Sequence, residues 1–385
     1  MRAHRRVPAI IPPSRQGESN AQNTAAQSPR PARRGEADAR SAAGEGQRKV
    51  AAAFVAMLLL AGCAHPAPRP VESVRPVWPP PPAPAKIRWV GAFPNPAMPG
   101  IPSASFWTRA FDFITGIDPD PSVDRAPMQR PFGLAVWDRN LLVADPDGRQ
   151  VLRVHWHTGD VEALNCKDRA WSMPLAIAVA PDGSLWIADG SAGVVVRREM
   201  NGRCRAIGEG TFGRPSGIAM AGKVAYVVDP PNHAVWRVGF DGAVQGRVGE
   251  RGTGQGQFNF PTGIAALPDG SLLVVDALNF RIVKLDPDGK TLSAFGEAGD
   301  GGGAFARPKA IAVDESNNIY VSDAQNDVVL VYGLGGNFAL AVGGTGQGPG
   351  QFSLPAGLAI SDGYLFVADS YNHRIGIFEL LGGPR

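Results

Sequence analysis

The chain is 385 residues long, with 38 Lys and Arg against 35 Asp and Glu, a formal charge of +3. That excess lies in the first 62 residues, which hold 10 basic and 4 acidic side chains; from Cys63 onward 28 basic residues face 31 acidic ones, a charge of −3. A slightly acidic body with no basic stripe excludes the electrostatic footprint of a nucleic-acid-binding domain.

Residues 1–47 are polar, rich in Arg, Ala and Pro, and without periodicity. They read as a start codon placed too early or as a disordered extension. Residues 48–62 open with Arg48-Lys49 and continue as an apolar run, the pattern of a signal peptide and too short to span a membrane as a stable helix. The run ends Leu60-Ala61-Gly62-Cys63, which resembles a bacterial lipobox. The resemblance implies cleavage before Cys63, lipid on its sulfur and on the new amino group, and export to face the periplasm. Ala64 in place of Asp after the lipidated Cys favours the outer membrane over the inner. Residues 63–85 hold Pro66, Pro68, Pro70, Pro76, Pro79 to Pro82 and Pro84, and predict an extended, semi-rigid tether.

A domain over 86–385 follows. Its first strand sequence, Ile87-Arg88-Trp89-Val90-Gly91, returns in altered form as GRVGE at 246–250 and LAVGG at 340–344. The insert 94–128 contains SASFWTRAFDFITG, a short helix with Ser105 as N-cap, Phe106, Trp107, Ala110, Phe111 and Ile114 apolar, and Gly116 as C-cap. So short a helix needs packing to persist. It either staples the domain or serves as a lid or partner-binding helix through Trp107 and Phe111. Asp118, Asp120 and Asp124 sit in an Asp-Pro context that reads as turns rather than a calcium site.

Six copies of one pattern fill the rest, starting at Pro131, Pro174, Pro215, Pro261, Pro308 and Pro355, with spacings of 43, 41, 46, 47 and 47 residues. A period in the forties built from β-branched runs bounded by Gly, Pro, Asn and Asp predicts an all-β, six-bladed propeller, one blade per repeat. Within each unit strand a is the Gly-Ile-Ala-Val run, strand b ends in Asp, strand c follows a tight turn, and strand d precedes a spacer. The last repeat lacks strand d, so residues 87–93 are expected to pair with 374–379 and close the ring, removing exposed edges.

The repeat carries Pro-x-Gly-Ile/Leu-Ala, Asp-Gly turns at Asp182-Gly183, Asp269-Gly270 and Asp362-Gly363, Asn-x-Arg-Ile at 279–282 and 372–375, and spacers GTGQGQF (252–258) and GTGQGPGQF (344–352). In these marks the units resemble NHL repeats. Repeat two departs most, with Ala176 for the Gly and no Asn after Asp189. The resemblance implies a propeller that recognises a partner; a minority of related six-bladed propellers are metal-dependent lyases or lactonases. Asp145, Asp189, Asp229, Asp276, Asp323 and Asp369 are expected to cap b–c turns through backbone amides rather than bind metal, since a sixfold motif serves folding.

Chemistry is sparse. His155 and His157 fall on strand c of blade one, and no third ligand is near them in sequence. His233 and His373 hold equivalent turn positions. The starts of the a strands, Phe132, Leu175, Ser216, Thr262, Lys309 and Ala356, are mostly small or apolar, and no metal or cofactor is implied. Cys166 and Cys204 would form a disulfide if close, but placing one at the end and the other at the start of neighbouring d strands directs them to opposite faces and favours free thiols. One pattern stands out. The residues before the repeat prolines alternate Arg130, Met173, Arg214, Phe260, Arg307, Leu354. Either three guanidiniums converge at one mouth of the channel as an anion site, or each Arg pairs with a b–c Asp such as Asp145, Asp229 or Asp323. The reading that results is a non-enzymatic, lipid-anchored recognition propeller presenting its d–a face to a protein or polymer of the envelope. A lyase or lactonase, and a structural accessory subunit of an envelope complex, are the alternatives.

Overall fold

The structure, a computed structural model, describes residues 75–94, 128–299 and 301–381. The leader, Cys63 and the helix expected over 105–116, with Trp107 and Phe111, lie outside those residues. Two strands come first, β1 (Val77–Trp78) and β2 (Ile87–Phe93). Blade one is β3 (Gly133–Trp137), β4 (Asn140–Asp145), β5 (Gln150–Val154) and β6 (Val161–Ala163). Blade two is β7 (Pro174–Val179), β8 (Leu185–Asp189), β9 (Val194–Arg198) and β10 (Cys204–Ile207). Blade three is β11 (Gly217–Ala221), β12 (Val224–Asp229), β13 (Ala234–Gly239) and β14 (Val244–Val248). Blade four is β15 (Pro261–Ala266), β16 (Leu272–Asp276), β17 (Arg281–Leu285) and β18 (Thr291–Phe295). Blade five is β19 (Pro308–Val313), β20 (Ile319–Asp323), β21 (Val328–Tyr332) and β22 (Phe338–Gly343). Blade six is β23 (Pro355–Ser361), β24 (Tyr364–Asp369) and β25 (Arg374–Leu380), completed by β2. Each blade is an antiparallel sheet, and each innermost strand touches those of the blades on either side, the sixth returning to the first.

The b strands read as continuous apolar runs because both of their faces are covered by neighbouring blades. Leu141 to Asp145, Leu185 to Asp189 and Leu272 to Asp276 are buried at every position. The core is accordingly divided into six apolar clusters, one at each interface between adjacent blades. In the four blades that keep the glycine of Pro-x-Gly this packing leaves no room for a Cβ, whereas blades two and five carry Ala176 and Ala310. A Cβ on Gly217 would stand 2.9 Å from the Thr262 carbonyl oxygen of the next blade, and one on Gly263 would stand 2.6 Å from that of Lys309.

The ring closes as the sequence predicts. β2 pairs with β25 from Ile87 opposite Leu380 to Phe93 opposite Ile375. Trp89 lies edge-on to Phe378 at 5.1 Å, and Arg88 pairs with Glu379. Phe93 and Met128 join the cluster between blades six and one, so the chain leaves and re-enters the described structure at that interface. The stretch expected as a tether through residue 85 is not free to its end. Val77 and Trp78 pair with Arg88 and Ile87 as a fifth, outermost strand, and the Trp78 ring packs 5.7 Å from Phe378.

The expectation of free thiols is corrected: Cys166 and Cys204 form a disulfide, with Cα atoms 5.6 Å apart. The reason lies in the short outer strand of blade one. β6 ends at Ala163, and the chain then turns sideways towards the c–d turn of blade two, where the Lys167 amide donates to Gly202. Cys166 therefore never completes strand d and meets Cys204 at the start of its own. A bridge closing 38 residues restricts the unfolded chain, which by loop entropy stabilises the fold by about 2–4 kcal/mol. Cys166→Ser with Cys204→Ser is expected to lower the urea-unfolding free energy by about that amount, and reductant is expected to do the same to the parent.

Candidate functional site

The six repeat aspartates are fully buried and hold one shared contact. Each ends strand b and accepts hydrogen bonds from the amides that lead into strand a of its own blade. Asp145 takes the amides of Gln129 (2.7 Å) and Arg130 (2.9 Å), Asp189 those of Ser172 and Met173, Asp229 those of Gly213 and Arg214, and Asp323 those of Ala306 and Arg307. Asp276 and Asp369 take one such amide each, from Asn259 and Ser353. Capping of the b–c turn, the role read from sequence, is present beside this contact in blades one, two and five, through Gly148, Ala192, Gln325 and Asn326. In blades four and six the Asn-x-Arg motif supplies further donors. Asn279 and Arg281 bind Asp276 and also the Gly252, Thr253 and Gln257 carbonyls, folding the Gly-rich spacer against the blade. Burial pushes the Asp276 and Asp369 carboxyls up from their ordinary range, against the pull of these donors.

Two of the three apolar positions before the repeat prolines depart in backbone, while the third, Met173, keeps its amide bond to Asp189. Phe260 and Leu354 adopt left-handed φ values of 57° and 52°. Their amides turn away from their own blade's Asp and bind the preceding blade instead: Phe260 to His233 Nδ1 at 3.1 Å, Leu354 to Asp327 at 2.7 Å. His233, Asp327 and His373 occupy one position, four residues after the repeat Asp, and His373 contacts the Gln129 carbonyl of blade one. These two histidines and Asp327 are thus ties between blades. His155 and His157 lie beyond β5 in the c–d turn rather than on strand c, the His157 ring against Trp156. Among the described residues no group of three or more His, Cys, Asp or Glu is placed to hold a metal ion.

A cavity of about 780 Å³ opens at the mouth of the central channel, on the face of the b–c and d–a loops. The three arginines converge on it. Arg130, Arg214 and Arg307 line its wall with Lys309, and among the described residues no carboxylate or imidazole does. Lower down stand the other a-strand starts, Phe132, Leu175, Ser216, Thr262 and Ala356, and then a ring of one apolar residue per blade. Of the two readings of the arginines, the structure realises parts of both. Their backbone amides, not their guanidiniums, bind Asp145, Asp229 and Asp323. The Arg130 guanidinium makes a two-pronged pair with Asp147, at 2.7 Å in each prong, and this bond holds the Asp147 carboxyl below the usual range. Among the described residues the guanidiniums of Arg214 and Arg307 meet no carboxylate.

Lys309 is the residue that sequence reasoning placed on the channel without a role. Its ammonium stands 5.3 Å from the centre of the Phe132 ring. Burial, with the Arg307 and Arg130 charges adding repulsion, brings its pKa down to about 8. The signal was available in the repeat alignment, where Lys309 is the one charged residue among the six a-strand starts.

Residues 352–378 match the NHL repeat model, and residues 264–339 match a family model described as a 6-bladed beta-propeller. The chain carries an NHL repeat at residues 352–378 and is a six-bladed β-propeller. No curated protein matches its sequence. Solved structures with this fold include a Xanthomonas campestris gluconolactonase, 20% identical, with a TM-score of 0.54 over 66% of this chain and 86% of that one. A protein of unknown function from Bacteroides thetaiotaomicron is 16% identical, with a TM-score of 0.53 over 66% and 70%. The virginiamycin B lyase of Staphylococcus aureus is 14% identical, with a TM-score of 0.50 over 67% and 97%. At these identities the likeness is one of fold.

Two outcomes follow from the site's construction. Asp229 accepts from two amides, Asn232 and the Trp236 indole. Asp229→Ala strands these buried donors and is expected to cost about 2–4 kcal/mol in urea unfolding, more than Asp229→Asn. The lowered pKa of Lys309 means that the unfolded chain binds more protons than the folded one between about pH 8 and the ordinary lysine value of 10.5. Stability therefore rises with pH through that window, by on the order of 1–3 kcal/mol from this group. The difference in unfolding free energy between pH 7.5 and 10 should shrink by that amount in Lys309→Met.

Proposed function

We propose that this chain is a non-enzymatic recognition propeller of the bacterial cell envelope, exported, lipid-anchored through Cys63, and binding an anionic group of an envelope component at the channel mouth. The observation that carries the reading is the convergence of Arg214, Arg307 and Lys309 on one cavity whose lining, among the described residues, has no carboxylate. Guanidiniums are permanently charged, planar donors suited to carboxylate and phosphate groups, and a half-enclosed apolar wall strengthens their attraction. The fold is shared with a gluconolactonase and a lyase, yet what this lining offers is charge and apolar surface rather than an acid–base pair, which favours capture over turnover.

Leu278 lines the pocket and is 53% exposed, while Leu292, equally exposed, lies on the outer strand of blade four. A photo-crosslinking amino acid at Leu278 in intact envelopes is expected to yield an adduct that one at Leu292 does not, and Arg214→Met with Arg307→Met should abolish it. An adduct indifferent to the arginines would sink the reading. In the same cells Cys63→Ser is expected to release the protein from the membrane fraction.

A further inference from the structure

The channel-mouth cavity is graded from charge to oil along its axis. Its rim carries Arg130, Arg214 and Arg307, with Lys309 just inside. Beneath them every blade contributes one aliphatic side chain at the third position after the repeat proline: Leu134, Ile177, Ile218, Ile264, Ile311 and Leu358. All six line the cavity and are nearly buried, between 5% and 8% exposed. Their period is that of the fold, and their apolar character holds in all six copies, whereas the residue two before each of them ranges from Phe132 to Lys309. A free phosphate or a bare carboxylate would use the rim and leave this wall wet. A neutral oil would leave three cations near one another without a counter-charge.

From this arrangement we infer that the site takes an amphiphilic anion, a ligand with a phosphate or carboxylate head held by Arg214, Arg307 and Lys309 and an apolar tail directed down the channel against the six-membered aliphatic ring. The inference rests on the proposed function and names the class of ligand for the same pocket. The volume of about 780 Å³ suits a ligand of that kind, since cavities of roughly 300–1,000 Å³ bury small organic molecules. Phe260 adds to the rim. It is a bulky residue at a left-handed φ of 57°, 38% exposed, fixed there by its amide bond to His233. A non-glycine residue held in that region beside a cavity marks a place where the backbone gives up local comfort for position. Arg130 differs from its two counterparts because Asp147 already neutralises it. It is the spare cation of the rim, released only if Asp147 is removed.

The test uses the purified protein and isothermal titration with four probes: n-octyl phosphate, n-butyl phosphate, inorganic phosphate and n-octanol. Octyl phosphate is expected to bind at least about tenfold tighter than butyl phosphate and than inorganic phosphate, because each buried methylene adds to affinity. It should also exceed octanol by about tenfold. Arg214→Met with Arg307→Met should weaken octyl phosphate at least about tenfold without shifting the melting temperature downward. Asp147→Asn, which frees Arg130, should tighten it severalfold, a gain that a damaged fold cannot produce. Inorganic phosphate binding as tightly as octyl phosphate would overturn the amphiphile and leave the anion pocket standing. No binding of any phosphate would overturn both. Octyl phosphate binding that survives loss of the two arginines would overturn both as well, since the head would then be unread.

Discussion

Everything at the channel mouth hangs on one buried carboxylate per blade. The aspartate ending strand b accepts the amides of the residues about to become strand a, so it fixes the end of the second strand to the segment that enters the innermost one, at the place where the chain crosses from one blade to the next. The crossing segment has no ladder partner of its own, and buried amides without acceptors are costly. One acidic side chain with two oxygens resolves this for two amides at once. Because the bond is to the backbone, the side chains of Arg130, Arg214 and Arg307 are left free to line the cavity. The arginines are therefore placed by their own main chain, and their guanidiniums remain available.

The second constraint is the close approach of the a strands. Six sheets arranged around an axis crowd their inner edges, and Gly217 and Gly263 sit where a side chain would strike a neighbouring carbonyl. Hydroxyls exploit the same proximity. Ser216 donates to the Thr262 carbonyl and Thr262 to that of Lys309, while Ser370 donates to the Pro131 carbonyl across the closing interface. Narrow packing at the axis and an aspartate-fixed loop above it together produce a cavity whose floor is aliphatic and whose rim is set by single residues.

What the sequence made legible was what repeats. The sixfold period, the strand order, and the missing strand supplied by Ile87–Phe93 all follow from comparing the copies with one another. The convergence of Arg130, Arg214 and Arg307 was visible for the same reason, as an alternation along one column of the repeat. What repeats imperfectly was not legible. The Cys166–Cys204 bridge depends on β6 stopping early, a local departure with no signature except a shorter apolar run. Val77–Trp78 pairs outside the repeat altogether, within a Pro-rich stretch whose composition argues for a free tether. The partner of Arg130 proved to be Asp147 rather than Asp145, because the conserved position of the latter in every copy already commits it to amides.

The left-handed turn of Phe260 and Leu354 shows why imperfect repetition is where a propeller keeps its specificity. Symmetric positions, namely the aspartates and the aliphatic ring, are nearly the same in each blade, so the ring closes without strain. The residue after the proline lines the cavity in every blade, the one before it does so as Arg130, Arg214, Phe260 and Arg307, and these positions are exempt. Across the six copies they run through arginine, methionine, phenylalanine and leucine before the proline, and through phenylalanine, leucine, serine, threonine, lysine and alanine after it. A scaffold that fixes most of its positions sixfold thus leaves two columns of free choice, both opening on one cavity. Three of the choices in that cavity are cations that meet no carboxylate among the described residues, at a cost in mutual repulsion that burial makes greater rather than smaller. Folding alone gives no reason to place Lys309 beside Arg307 and within reach of the Arg130 charge, where its own pKa falls to about 8; the anionic ligand proposed for this rim would.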